Sequence, residues 1–175
     1  MRGDIVKTKV QHKLVGGALT ASLIAAAAVA GLATLPARAH HSFAAYNMEV
    51  VKVFTGVVTR VNPDANHLQI FFAPMNEERK NVIRGEDGKP VVWAVEMSGS
   101  AQAAKEGISV NSFPPGTIFS IAMHPLRDGR HAGARGREGA IYKCPEKKPP
   151  APGKHCDSVE GHTAYGTGPL PAEKG

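Results

Sequence analysis

Beyond residue 48 the apolar residues fall in short blocks of β-branched and aromatic side chains bounded by Gly, Pro, Asn or Asp, a pattern of strands rather than helices. Glu49 to Val61 (EVVKVFTGVVTRV) alternates in part and predicts a long first strand. Gly56 in its middle marks a bend or bulge, the device by which a long strand curls into a barrel. Asn62 to Asn66 predicts a turn, because Pro63 sets φ and the Asn and Asp side chains bond nearby backbone. His67 to Ala73 is the second strand, and the polar stretch Pro74 to Lys89, with Gly85 and Gly88, reads as a generous hairpin loop. Pro90 to Met97 predicts a third strand with Val91, Trp93 and Val95 on one face. Glu96 then points away from the face that buries Trp93, toward solvent or a partner such as Arg60 or Arg127.

From Ser98 to Glu106 the composition changes to Ala, Gln, Lys and Glu, which predicts a short helix with Ser98 or Ser100 as N-cap and Gly107 as its stop. Thr117 to His124 is a fourth strand, Pro125 to Gly129 a turn, and a Gly-broken fifth strand runs from about His131 to Tyr142. Three strands, a helix and two strands follow the order of the oligonucleotide/oligosaccharide-binding barrel, a five-stranded Greek-key barrel. The fold class is therefore all-β with one short helix, an OB-like barrel, although other small barrels and a sandwich share this composition. After Lys143 the chain is rich in Pro, Gly and Lys and reads as an irregular tail.

The N-terminal third changes the picture. Arg2, Lys7, Lys9 and Lys13 precede an uncharged apolar run from Leu14 to Leu35, and Ala37-x-Ala39 supplies the small residues of a secretory cleavage site. Cleavage after Ala39 divides the chain into a signal helix (1–39), a barrel domain (40–143) and a tail (144–175), and makes the protein exported, most simply to a periplasm. The apolar run is also about the 20 residues that span a bilayer, so an uncleaved segment would be a membrane anchor. Removing residues 1–39 lowers the net charge from +6 to +2 by taking away five basic residues and Asp4. The remaining charges are interspersed in sign, which argues against a nucleic-acid partner. The two cysteines, Cys144 and Cys156, flank a Pro-rich loop. In an oxidising compartment they suit a disulfide, while His155 beside Cys156 leaves metal ligation open.

His40-His41-Ser42-Phe43, Gly56 to Pro63, Trp93 to Met97 and His124 to Gly129 together resemble a family of small exported bacterial proteins of unknown function, the domain family numbered 6152. The likeness runs from roughly Ala39 to Tyr142. The family's histidine directly after Asn-Pro stands here three positions later, as His67. The resemblance implies a secreted β-barrel domain and brings no established activity or catalytic residue with it.

The sharpest chemistry the residues offer is copper. A new N-terminal His40 would present its α-amine, with a pKa of about 8, and its own imidazole, and a further imidazole would complete a three-nitrogen brace suited to Cu(II). His67 and His124, at strand ends, are the candidate third ligands, and His41 is a less favoured partner because it alternates to the other side. Cleavage after Ala37 would instead place His40 third from a free amine, in the square-planar arrangement of Cu(II) and Ni(II). Met97 and Met123 offer soft ligands for Cu(I), and Trp93 a cover for a cation. The alternative is a binding module for a glycan, lipid or protein of the cell envelope, its ligand face on strands two and three around Leu68, Ile70, Phe72 and Trp93. Enzymatic chemistry is poorly represented: Ser42 adjoins His41 in sequence without a nucleophile elbow, and Gly129 to Gly139 lacks the strand-to-helix setting of a phosphate loop, reading instead as a mobile basic lip.

Overall fold

The computed structural model describes residues 43–63 and 66–175. The signal segment, His40, His41 and Ser42 lie outside the described residues, as do Asp64 and Ala65 of the first turn. A 3-10 turn at Phe43–Ala45 leads into β1 (Lys52–Pro63), β2 (Leu68–Pro74) and β3 (Trp93–Glu96). There follow α1 (Ser100–Lys105), β4 (Ile118–Pro125), β5 (Ala132–Ala134), β6 (Ile141–Lys143) and β7 (Thr163–Tyr165). The predicted N-cap is corrected: Gly99 is the N-cap, with no side-chain bond to the helix, and Ser100 is already helical, whereas Gly107, with φ of +78°, follows the C-cap Glu106 as the expected stop.

The sheet order β1-β2-β3-β5-β4 closes on itself through β1 and β4, a five-stranded barrel in which only β3 and β5 run parallel. One long strand makes closure possible. Lys52 to Val57 of β1 pair with β4, Gly56 to Pro63 pair with β2, and the register slips by a bulge between Val58 and Arg60. Gly56 sits where the two pairings overlap. A Cβ there would lie 2.5 Å from Phe72 Cδ2 and 3.0 Å from the Ala73 carbonyl, so the curl needs glycine to let the ring of Phe72 beneath the backbone.

The barrel interior holds Val58, Ile70, Phe72, Val95, Phe119, Ile121 and Met123, with Phe113 and Ile108 from the connector after α1. Phe72 meets Phe54 and Phe119 edge-on, at centroid distances of 5.6 and 5.3 Å. This corrects the ligand face expected on strands two and three. Leu68, Ile70 and Phe72 alternate inward, and Phe72 is wholly buried. Trp93 is half-buried, stacked on His131 at 4.9 Å and leaning on Phe54, so its ring has partners on the protein.

The predicted fifth strand is two strands. β5 and β6 both pair with β4, β5 opposite His124–Pro125 and β6 opposite Phe119–Ser120, and the stretch 135–140 between them leaves the sheet. The tail is irregular over much of its length but packed. β7 pairs with β6, Lys174 bridges to Val51, and Leu170 packs against Val51, Val53 and Ala122 on the outer face of β1 and β4. Cys144 and Cys156 form a disulfide. Beneath it the Thr55 and Ser120 hydroxyls bond each other at 2.7 Å, Thr55 meets His155 Nδ1 at 2.9 Å, and Ser120 accepts the Cys156 N–H at 2.8 Å. Burial, then the charge of Arg79, hold the His155 imidazole below the usual histidine value, so it docks against these hydroxyls as the neutral ring. Among the described residues no helix is long and apolar enough to cross a membrane.

Candidate functional site

Val95 and Met123 point into the core, so by strand alternation their neighbours Glu96 and His124 point out of the barrel. Register aligns them. Glu96 pairs with Ala134, and Ala134 with His124, giving a row across β3, β5 and β4 near one rim. The row is roofed over. The segment carrying Tyr46 and Met48 covers it from one side and Gly136 to Glu138, the stretch that leaves the sheet after β5, from another. The result is a cavity of about 530 Å³ lined by Tyr46, Met97, His67, Glu96, His124 and Glu138 among others. Its size is that of a small-ligand site, and most of its wall is apolar.

Two polar networks are set into that wall. His124 is buried, its Nδ1 2.9 Å from the Val50 carbonyl and its Nε2 3.0 Å from Glu138 Oε1. A carbonyl only accepts, so Nδ1 donates, and a proton lies between Nε2 and the carboxylate. Both nitrogens of His124 are thus engaged. In the second network the Tyr46 hydroxyl donates to Glu96 Oε2 at 3.2 Å, and His67 Nδ1 lies 3.5 Å from Glu96 Oε1 and 3.3 Å from the Met97 carbonyl. Glu96 is therefore not the solvent-facing or arginine-paired residue the sequence suggested. Neither Arg60, which lies over the Phe71 ring at 3.9 Å, nor Arg127 is its partner.

Burial, the charge of Glu96 and the hydrogen bond to it push the Tyr46 hydroxyl up to about 12 from an ordinary 10. The neutral phenol is the form the fold favours. Its contribution to stability is complete below pH 10 and is lost as the pH rises through about 12. In an alkaline titration followed by tyrosinate absorbance, one of the three tyrosines should ionise near 12, and Tyr46→Phe should remove that step. A titration with no step near 12 in the parent protein would show that Tyr46 is not held by Glu96.

Ser98, Gly136 and Arg137 are shared with a second, more polar cleft of about 680 Å³. Here Arg135, predicted as part of a mobile basic lip, is buried: Nη1 pairs with Glu106 at 2.5 Å and Nη2 donates to the Gly139 carbonyl at 2.7 Å. Burial raises the Glu106 carboxyl, but hydrogen bonds from Arg135 and Gln102 and the charge of Arg135 outweigh it and hold the group below its ordinary value.

The structure thus brings His67 and His124 to one cavity, while His40 and His41 are outside the described residues. Among the described residues no group of three or more His, Cys, Asp and Glu side chains is placed to hold a metal ion. Cys144 and Cys156 are consumed by their disulfide, and Met123 is core. Sequence reasoning missed Tyr46, Arg137 and Glu138. Tyr46 had no pattern to mark it, and the other two lie in a stretch whose glycines signalled the break in the strand without saying where its side chains would go.

Fold and site together define a small closed β-barrel with a roofed, mainly apolar cavity on its outer face. The chain belongs to the family of unknown function DUF6152, which it matches over residues 27–135, more than half its length. The match contains all five barrel strands with Tyr46, His67, Glu96 and His124. It ends before Arg137, Glu138 and the disulfide-bonded tail. No curated protein and no solved structure matches the chain.

Proposed function

We propose that the protein is an exported binding module, OB-like in strand order and helix position, that takes a small, mainly apolar ligand in the cavity between Tyr46 and the Glu96–Ala134–His124 row. The observation that carries this reading is the cavity itself. It has apolar walls with two polar networks set into them, the make-up of a site that holds a small molecule and orients it with a few polar groups. Export is supported by the N-terminal leader pattern and by a disulfide of the kind that persists in oxidising compartments. The test is a calorimetric titration with 1-octanol. Saturable binding that disappears in Ala134→Leu, which fills the cavity floor, with the far-UV spectrum unchanged, is the expected result. Equal binding by both proteins would place the ligand elsewhere.

A second reading, copper held by a processed N-terminus, is favoured by one observation. His67 and His124, the candidate third ligands, line one cavity. The intact mass of the exported protein with and without Cu(II) decides it. A form beginning at His40 that retains one copper, and loses it in His40→Ala and in His67→Ala, supports the brace. A mature form that takes up no more copper than an unrelated peptide removes it.

A further inference from the structure

Charge bookkeeping across the two adjoining clefts leaves one group over. Glu96 accepts from Tyr46 and faces His67, Glu138 faces His124, and Glu106 holds Arg135, so each carboxylate there has a proton donor or a cation against it. Arg137 stands on the wall the clefts share, exposed, and although its carbonyl accepts from the Gly139 N–H, among the described residues its guanidinium forms no ion pair and no hydrogen bond. A guanidinium is a planar fork of donors matched to carboxylate and phosphate oxygens. The more polar cleft is also lined by Ser98, Gln102 and Thr167. On the other side the apolar chamber offers Met48, Met97 and Ala134.

We propose that Arg137 anchors the head group of the ligand, and that the ligand is a small amphiphilic anion, a carboxylate or phosphate ester whose apolar body fills the cavity. This rests on the reading of the cavity as a ligand site. It adds the sign of the ligand's charge and the residue that reads it. The paired acids do not oppose it: His124 and His67 face their carboxylates, whereas a cationic ligand would have to compete with those partners for Glu138 or Glu96.

The full exported chain is titrated calorimetrically at low salt with four probes of equal chain length: octanoate, octyl phosphate, 1-octanol and octylammonium. Because Arg137 is exposed, its hold on an anion is modest, and at least one of the two anions should bind about fivefold more tightly than 1-octanol. Octylammonium should bind more weakly than the alcohol. The anion's advantage should shrink as salt is raised and vanish in Arg137→Gln, while 1-octanol binds parent and variant alike. The anion that keeps the advantage identifies the head group as carboxylate or phosphate. Binding of 1-octanol equal to that of both anions, or an anion advantage that survives Arg137→Gln, overturns the assignment of Arg137 and leaves the cavity reading standing. Saturable binding by none of the four overturns both.

Discussion

Replacing Phe72 with alanine should lower the stability of the protein by about 3–5 kcal/mol, the cost of emptying a large, fully enclosed aromatic position. Phe72 has no exposed surface, packs edge-on against Phe54 and Phe119, and lies beneath the backbone of Gly56, so the strands around it are poorly able to collapse into the space. Denaturant unfolding monitored by Trp93 fluorescence measures the loss, and Phe72→Leu, which keeps most of the volume, should lose much less. The same residue on an exposed ligand face would give the opposite pattern, little change in stability and a loss of binding. A Phe72→Ala protein within 1 kcal/mol of the parent would therefore return the residue to the surface.

Removing the disulfide should have the next largest effect. Cys144 and Cys156 are 12 residues apart, and a closed loop of that length restricts the unfolded chain by about 3 kcal/mol. The double variant Cys144→Ala with Cys156→Ala should unfold at correspondingly lower denaturant. Because the bridge joins the chain after β6 to the turn at Cys156–Ser158, and that turn supplies the His155 and Cys156 contacts to Thr55 and Ser120, the loss should begin in the tail. Amide hydrogen exchange should rise from residue 156 through β7 before it rises in β1 or β4. A variant as stable as the parent would show that the hydroxyl–imidazole network holds the tail without the bridge.

Both effects follow from parts of the molecule that were unequally legible in the chain. Strand alternation and residue type are local properties, and they predicted the first four strands, the outward direction of Glu96 and, from its glycine, the bend at Gly56. It also contained the correction to the ligand face. Val95 and Trp93 point inward together, and their antiparallel partners Ile70 and Phe72 must then point inward too. What alternation lacks is any signal for what covers an outward face. The tail that buries Thr55 and Ser120, and the Tyr46 segment that roofs His124, come from distant parts of the chain with no periodicity of their own.

The barrel's element order, a leader-like N-terminus and a pair of cysteines apt to join were legible in the chain, because each depends on residue types within a short window. Long-range packing alone brings His67, His124 and Glu96 to Tyr46 and Glu138 in one cavity and leaves the Arg137 guanidinium on its wall without a counter-ion among the described residues. The reason is physical. The break in the fifth strand is written in its glycines, but the direction in which residues 135–140 leave the sheet is set by the Arg135–Glu106 pair and by β6 joining β4, contacts between residues far apart in the chain.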